Sequence, residues 1–489
     1  MNVLLINPPV REEVPPVIFP LGVAYLVTCL KRAKHNPVVV DIDGNRFNYN
    51  EALKIIKKHL EKNNIEAICT GGLVTVYKYC KRLTNDIRKI NPNVPIIIGG
   101  SLASSTPELV LEKIKPNYIV FGEGEIPLTN LINCLEKKIE PKDVKGIGFK
   151  ENNKITFTPK EEPLNEEFLN NLLPDWDEFP IEKYIKYPNT DCGTKKSMGV
   201  TSMRGCPFRC KYCYHIFEKT RMRSPESLVN EINILKRKYS VEHIIFSDDL
   251  FTVSRKRVEK LCELIVKQKL NVTWSCCSRV NLVDLDLLKK MKKAGCILIG
   301  YGFESGSQKI LDLMGKRAKV EEGEKAIEMT RKAGISIRGA FMIGFPGETK
   351  ETFEETIQFC LRNNLTTYFS FTDPYPGTEI FYSCEIEKKM DLEKFVENIG
   401  EQVTLRVNLT DLPDKELLEM CDKGEKKIAK AGVIQNFPLN ILLFPFFVLG
   451  IKKYATAITQ SKQLGFGMFL KLNIYYLNYK IKMVLSKFF

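Results

Sequence analysis

Residues 198–215 read MGVTSMRGCPFRCKYCYH. A short run of apolar and β-branched residues, 199–202, leads through Gly205 into three cysteines, Cys206, Cys210 and Cys213, spaced C-x3-C-x2-C. The run predicts a strand, and the segment after Gly205 a loop. Three thiolates on one loop suit three irons of a cubane cluster, because soft thiolate ligands select Fe–S centres. The fourth iron then has no protein ligand and stays open to a chelating small molecule. The alternatives are three ordinary cysteines, or a structural zinc completed by His215 as Cys3His. The spacing, the strand before it and the pattern after it agree on the cluster.

Working outward, residues 197–384 repeat one pattern. Strand-like runs at 199–202, 243–247, 272–276, 297–301, 336–343 and 367–371 alternate with amphipathic stretches near 225–239, 254–269, 284–294, 307–314, 320–333 and 350–363. Six such units predict a partial (β/α)6 barrel with its site at the carboxyl ends of the strands.

Upstream, residues 1–140 alternate in the same way. Apolar runs at 3–6, 38–42, 67–70, 96–98 and 118–121 are separated by helical patterns near 21–33, 50–62, 75–90, 105–114 and 125–136. That predicts a doubly wound parallel sheet. Pro8, Pro9, Gly71, Gly72, Gly99, Gly100, Gly122 and Gly124 fall just after the runs, where such sheets bind ligands, and glycine lets backbone approach a bulky ligand. Residues 141–196 read as a hairpin at 144–158 followed by an ordered linker, since Trp176, Phe179 and Tyr184 call for a surface to cover. Residues 385–489 predict a helical C-terminal region.

The chain has 489 residues, 44% hydrophobic and 27% charged, with a formal net charge of +14. The length implies two or three domains. The basic balance suits nucleic acid, an anionic membrane face or acidic substrates, but no RNP motif, zinc finger or helix-turn-helix supports nucleic acid. The start, MNVLLINPPV, lacks a basic region and a small-residue cleavage site, so it does not read as an export signal. The expected location is the cytoplasm, where the 15 cysteines read as metal or redox groups rather than as a disulfide framework.

With the triplet and barrel pattern in place, the chain resembles the radical S-adenosylmethionine (SAM) superfamily. The resemblance implies a 4Fe–4S cluster on Cys206, Cys210 and Cys213, whose open iron chelates SAM. Reductive cleavage then gives methionine and a 5′-deoxyadenosyl radical that takes hydrogen from substrate, the electron coming from a flavodoxin or ferredoxin. It implies that Tyr212 packs on the adenine, although loop packing would explain the same aromatic. SDDL puts Asp248 and Asp249 where the family holds the methionyl amino group; which of the two serves is open, because the commoner Gly-Gly-Glu form is absent. YGFESGS puts Glu304 and Ser305 at the ribose. Arg279 is a candidate clamp for the methionyl carboxylate or a surface ion pair. GAFMIGFPGET puts Gly344 where it clears space for the nucleoside. Cys276 or Cys277 faces the cavity as a hydrogen donor, or both are buried structural thiols.

The N-terminal features INPP, PLGVAYLVTCL with Gly22, Gly71-Gly72, PIIIGGSLASSTPE and FGEGE are similar to the cobalamin-binding domain that precedes many of these enzymes. By that resemblance Ser101, Leu102, Ser104 and Ser105 lie beneath the corrin, and Glu123 and Glu125 join the glycines around it. The D-x-H-x-x-G signature is absent, and His35, His59, His215 and His243 stand in other contexts, so the cobalamin is expected base-off without a protein histidine. The implied activity is methyl transfer to an unactivated carbon. Open alternatives are radical cyclisation or rearrangement, a radical enzyme without cobalamin, and a non-catalytic Fe–S sensor. Residues 437–451 form an apolar run of about 15, short of the roughly 20 needed to span a bilayer, broken by Pro438 and Pro445. From 437 onward Lys interleaves with apolar residues without Asp or Glu. That suits either peripheral contact with an anionic membrane and a lipid substrate, or a helix capping the barrel.

Overall fold

The computed structural model describes residues 1–10, 18–186, 192–193, 195–400, 402 and 404–435. The apolar runs of the first 140 residues become β1 (Asn2–Asn7), β2 (Asn36–Asp41), β3 (Ala67–Gly71), β4 (Ile96–Gly99) and β5 (Tyr118–Val120). All five are parallel. A hairpin of β6 (Ile147–Glu151) and β7 (Lys154–Phe157) adds antiparallel to β5, giving the order β2-β1-β3-β4-β5-β6-β7. Val3, Leu4, Leu5 and Ile6 are all at most 2% exposed, as expected of a parallel strand covered by helices on both faces. The linker also has a surface to cover: Phe19 meets Phe179 at 5.0 Å and Tyr184 at 5.3 Å, ring centre to centre, and Trp176 is buried.

One expected helix differs. The stretch near 105–114 begins earlier, as a short helix over Gly100–Ser105 directly after β4, then breaks before Pro107 and closes with a wide turn over Val110–Ile114. Gly100 at φ +79° lets the chain pass from strand to helix without a linker. The break falls before Pro107, which has no N–H to continue the ladder.

The second sheet holds β8 (Ser197–Val200), β11 (His243–Phe246), β12 (Thr273–Ser278), β13 (Cys296–Glu304), β14 (Ser336–Ile343) and β15 (Phe369–Phe371). All are parallel, in the order β15-β14-β13-β12-β11-β8, as in a partial barrel. Its core is aromatic: Trp274, Tyr301, Phe246, Phe251, Phe341 and Phe359 are among the largest fully buried side chains. Between β8 and β11 the chain makes a two-residue ribbon, β9 (Met203–Arg204) against β10 (Arg221–Met222), which pinches off the loop carrying the three cysteines.

Two compact units result. Among the described residues, one contains those within 1–184, 203–227 and 374–400; the other contains those within 185–202, 228–373 and 402–435. The chain thus crosses between units more often than the cut points at 140, 196 and 384. In the C-terminal region the described helices are Ile386–Lys389, Leu392–Asn398 and Asp414–Gln435. The expected membrane contact of 437–489 lies outside the described residues. Among the described residues no helix is long and apolar enough to cross a membrane.

Candidate functional site

In the first unit, β1 lies between β2 and β3, the place in such a sheet where the loops at the carboxyl edge run to opposite sides and ligands bind. Large apolar side chains stand uncovered on these loops: Val10 and Ile18 after β1 at 46% and 75% exposure, and Leu73 after β3 at 53%. Gly22 and Gly122 face open space, with nothing within 4 Å of where a Cβ would sit. Gly71 and Gly100 serve each other instead. A Cβ on Gly71 would stand 2.1 Å from the Gly99 carbonyl oxygen, and one on Gly100 2.6 Å from that of Gly72. Their expected role toward a ligand is therefore indirect: they let two loops stack backbone on backbone. Pro8 and Pro9 are buried, and Leu102 is fully buried in the core, not on the exposed face expected of it. Ser101 Oγ donates to the Gly72 carbonyl at 3.3 Å. Ser104 Oγ donates to the Gly100 carbonyl at 3.0 Å and accepts the Gly122 N–H at 3.0 Å. Ser105 Oγ is buried.

None of the four histidines lies on these loops. His35 sits at the opposite edge, bonded to the N-terminal amine and to Asn133. His59 bonds Asn63 on a helix. His243 is buried between Thr273 and Ser275 in the other unit. His215 belongs to the cysteine loop.

That loop, 205–220, also packs within the first unit. Cys210 is buried, while Cys206, Cys213 and Tyr212 are part-exposed, and none is in a disulfide. The Cys213 N–H donates to the Cys210 carbonyl, turning the backbone between them. Among the described residues no three His, Cys, Asp or Glu side chains converge at the spacing of a single metal ion. Gly205 at φ +81° sets the base of the loop: a Cβ there would be 2.6 Å from the Lys219 carbonyl oxygen.

Glu123 and Glu125, expected at the corrin, send their carboxylates to the ribbon. Arg204 donates to Glu125 at 2.5 Å, and Arg221 donates to both Glu123 oxygens at 2.5 and 2.9 Å. Arg204 also lies 3.7 Å from Glu123, and all four side chains are at most 10% exposed. Burial alone would disfavour the charge on Arg204, but Glu125 and Glu123 hold its pKa above the usual range. Phe217, from the loop, lies 5.5 and 5.8 Å from the two guanidinium groups. Tyr214, next to the last cysteine, lies on the same cavity wall as Ser104, and burial pushes its hydroxyl up to about 12. A cavity of about 430 Å³ opens here, lined in part by Gly122, Glu123, Phe157, Lys160, Tyr214 and Phe217. Arg204, Arg221 and Tyr214 escaped the sequence reading because their partners lie about 80 to 110 residues away.

In the second unit, the strand ends carry the residues expected at SAM. Asp248 is buried and accepts the Ser202 N–H and hydroxyl at 2.6 and 2.5 Å, while Arg257 donates to the same serine. Asp249 is the exposed member of the pair. Glu304, at φ +66°, pairs with Lys316 at 2.8 Å in a buried ion pair. Ser305 is buried and bonded to Thr356. Arg279 is 5% exposed and donates to the carbonyls of Lys316 and Arg317, so it is no surface ion pair. The space beside Gly344 is taken by Leu417, 3.5 Å from its would-be Cβ, and its N–H donates to Glu348 at 2.5 Å. Burial pushes the Glu348 carboxyl up to about 7, against the Gly344 and Phe345 N–H groups that lower it. Cys276 is buried with its thiol pushed well up by burial. Cys277 is part-exposed on the face of Gly300 and Arg338: a Cβ on Gly300 would lie 3.3 Å from its Sγ and 3.4 Å from Arg338 Nη2.

Two family models match the chain. Residues 200–360 match the Radical SAM superfamily model and residues 8–132 the B12 binding domain model. An uncharacterised methyltransferase of Pyrococcus horikoshii is 32% identical over 390 residues, 78% of this chain and 82% of the relative. The chain belongs to the radical SAM superfamily, in the group with a B12 binding domain. It is thus an enzyme of that superfamily. Another relative is the anaerobic magnesium-protoporphyrin IX monomethyl ester cyclase of Rubrivivax gelatinosus, 30% identical over 77% of this chain and 68% of its own. Among solved structures, the radical SAM methyltransferase TsrM of Kitasatospora setae, with cobalamin and a [4Fe-4S] cluster bound, is 18% identical with a TM-score of 0.65, covering 78% of each chain. At that identity the likeness is one of fold.

Proposed function

We propose that this radical SAM enzyme replaces a hydrogen on an unactivated substrate carbon with a methyl group, using a 4Fe–4S cluster, SAM and cobalamin. One observation supports the reading above the rest. The loop with Cys206, Cys210 and Cys213 and the exposed glycine loops of a B12-type sheet belong to one compact unit, bonded through Glu123 and Glu125. When bound, the cluster with SAM supplies a 5′-deoxyadenosyl radical, and cobalamin supplies the methyl group. The chain's own residues hold and shield them. The three thiols ligate iron. The exposed Asp249 holds the methionyl ammonium, with Asp248 fixing the turn through Ser202 by charge-assisted bonds. Val10, Ile18 and Leu73 give the corrin an apolar seat, with Gly22 and Gly122 leaving room for it. His35, His59 and His243 lie away from that seat, and His215, which lines the cavity beside Gly122 and Ser104, belongs to the cysteine loop, so a base-off corrin without a histidine from the sheet's own loops is the form proposed. The electron is proposed to come from a flavodoxin or ferredoxin.

The test is anaerobic reconstitution with iron, sulfide and hydroxocobalamin, followed by reduction with methyl-labelled SAM and candidate small-molecule or lipid extracts. The expected result is release of 5′-deoxyadenosine together with label in a product. The cyclase relatives favour a second reading, ring closure, which predicts 5′-deoxyadenosine but no label in product. Replacing any one of the three cysteines by alanine should abolish the nucleoside. Unchanged iron content and nucleoside release would refute the cluster.

A further inference from the structure

The bonds at Glu123 and Glu125 join two features that function would otherwise have to align separately. The loop after β5 has two edges. On one, Gly122 is exposed at φ +76° and its N–H is fixed to Ser104. On the other, Glu123 and Glu125 reach Arg204 and Arg221, which face each other across the ribbon at the two ends of the cysteine loop. Tyr214 of the cysteine loop and Ser104 line one cavity with Gly122. The Leu164 N–H donates to Glu123 at 2.8 Å, while the Leu164 carbonyl accepts from Arg221 at 2.8 Å, so the network closes on itself.

Buried ion pairs contribute little net stability but hold geometry firmly, because each charge left alone is costly. Bidentate Arg–carboxylate pairing adds direction. Any ligand pressing on Gly122 or Ser104 therefore presses on the loop that holds both ends of the cysteine loop.

We propose that Glu123, Glu125, Arg204 and Arg221 are positioning residues that couple corrinoid binding at the exposed glycine loops to the geometry of the cysteine loop. This rests on the function proposed above. It goes beyond that function by making the two cofactor sites energetically dependent, and by symmetry each must strengthen the other equally.

The test uses the full chain, with and without reconstituted cluster, titrated with hydroxocobalamin by absorbance. In the wild type, cluster loading should tighten hydroxocobalamin binding by about fivefold or more, and hydroxocobalamin should change the electron paramagnetic resonance spectrum of the reduced cluster. Glu125→Gln, compared with the wild type at equal iron content and at a temperature where both are folded, should bring the affinity ratio to one and leave the spectrum unmoved by hydroxocobalamin. Arg204→Lys, which keeps the charge, should restore part of the ratio that Arg204→Met loses. A wild-type ratio of one, or the same ratio in Glu125→Gln, overturns the coupling while the function stands. If hydroxocobalamin does not bind the wild type, the cobalamin-dependent function falls, and the coupling with it.

Discussion

At the residue scale, two positions turn geometry into measurable consequences. Gly205 precedes the first cysteine in a left-handed conformation, with a would-be Cβ 2.6 Å from the Lys219 carbonyl oxygen. Gly205→Ala should displace the base of the loop, at a cost of about 1–3 kcal/mol, and lower the iron bound per chain after reconstitution. Equal iron content would show that the loop tolerates the shift. Glu348 is a buried acid whose pKa is raised from the ordinary carboxylate value to about 7. The folded state then holds its proton more tightly than the unfolded state. Its contribution is full below about pH 4.5 and is lost as pH rises through 7. Glu348→Gln should remove that slope, gaining on the order of 2 kcal/mol relative to wild type between pH 5 and 8. Urea unfolding at the two pH values checks it. The cysteine triplet was legible because its chemistry lies in spacing alone. Glu348 was not, although it sits in GFPGET, because its state depends on burial and not on neighbours in sequence.

At the element scale, the glycines of the first sheet separate by what surrounds them. Gly71→Ala would drive a methyl into the Gly99 carbonyl and should cost about 2–3 kcal/mol through overpacking and strain. Gly22→Ala meets nothing within 4 Å and lies in a helix, so it should stabilise the chain by up to about 1 kcal/mol while reducing hydroxocobalamin affinity. Opposite signs in thermal melts check the pair. The strands themselves were readable as apolar runs, since parallel strands buried on both faces leave that trace. The ribbon β9–β10 was not, because two residues per strand carry no periodicity. Nor was the helix start at Gly100, which glycine conformation sets and apolar spacing does not.

At the scale of the whole molecule, the described residues within 203–227 and 374–400 complete a unit begun by those within the first 184. Nothing in local sequence announces this, because the bonds span long separations: Arg204 to Glu125, Arg221 to Glu123, and Lys81 and Tyr77 to Glu393 at 2.6 and 3.0 Å. A fragment of residues 1–196 contains the whole first sheet yet strips Glu123 and Glu125 of their arginines. It should be several kcal/mol less stable than the same sheet in the full chain, since breaking a buried pair costs about 3–5 kcal/mol. A low melting temperature for the fragment, beside hydrogen-exchange protection of β1–β5 in the full chain, is the expected pattern. A fragment that melts like the intact protein would contradict it.

The bare Val10, Ile18 and Leu73 side chains carry a practical corollary. Exposed apolar patches favour association, so on the cofactor use proposed above the nascent enzyme's soluble yield would depend on vitamin supply as well as on folding. Soluble yield should rise when the growth medium is supplemented with a corrinoid, and the increment should shrink when Leu73 and Ile18 are replaced by serine.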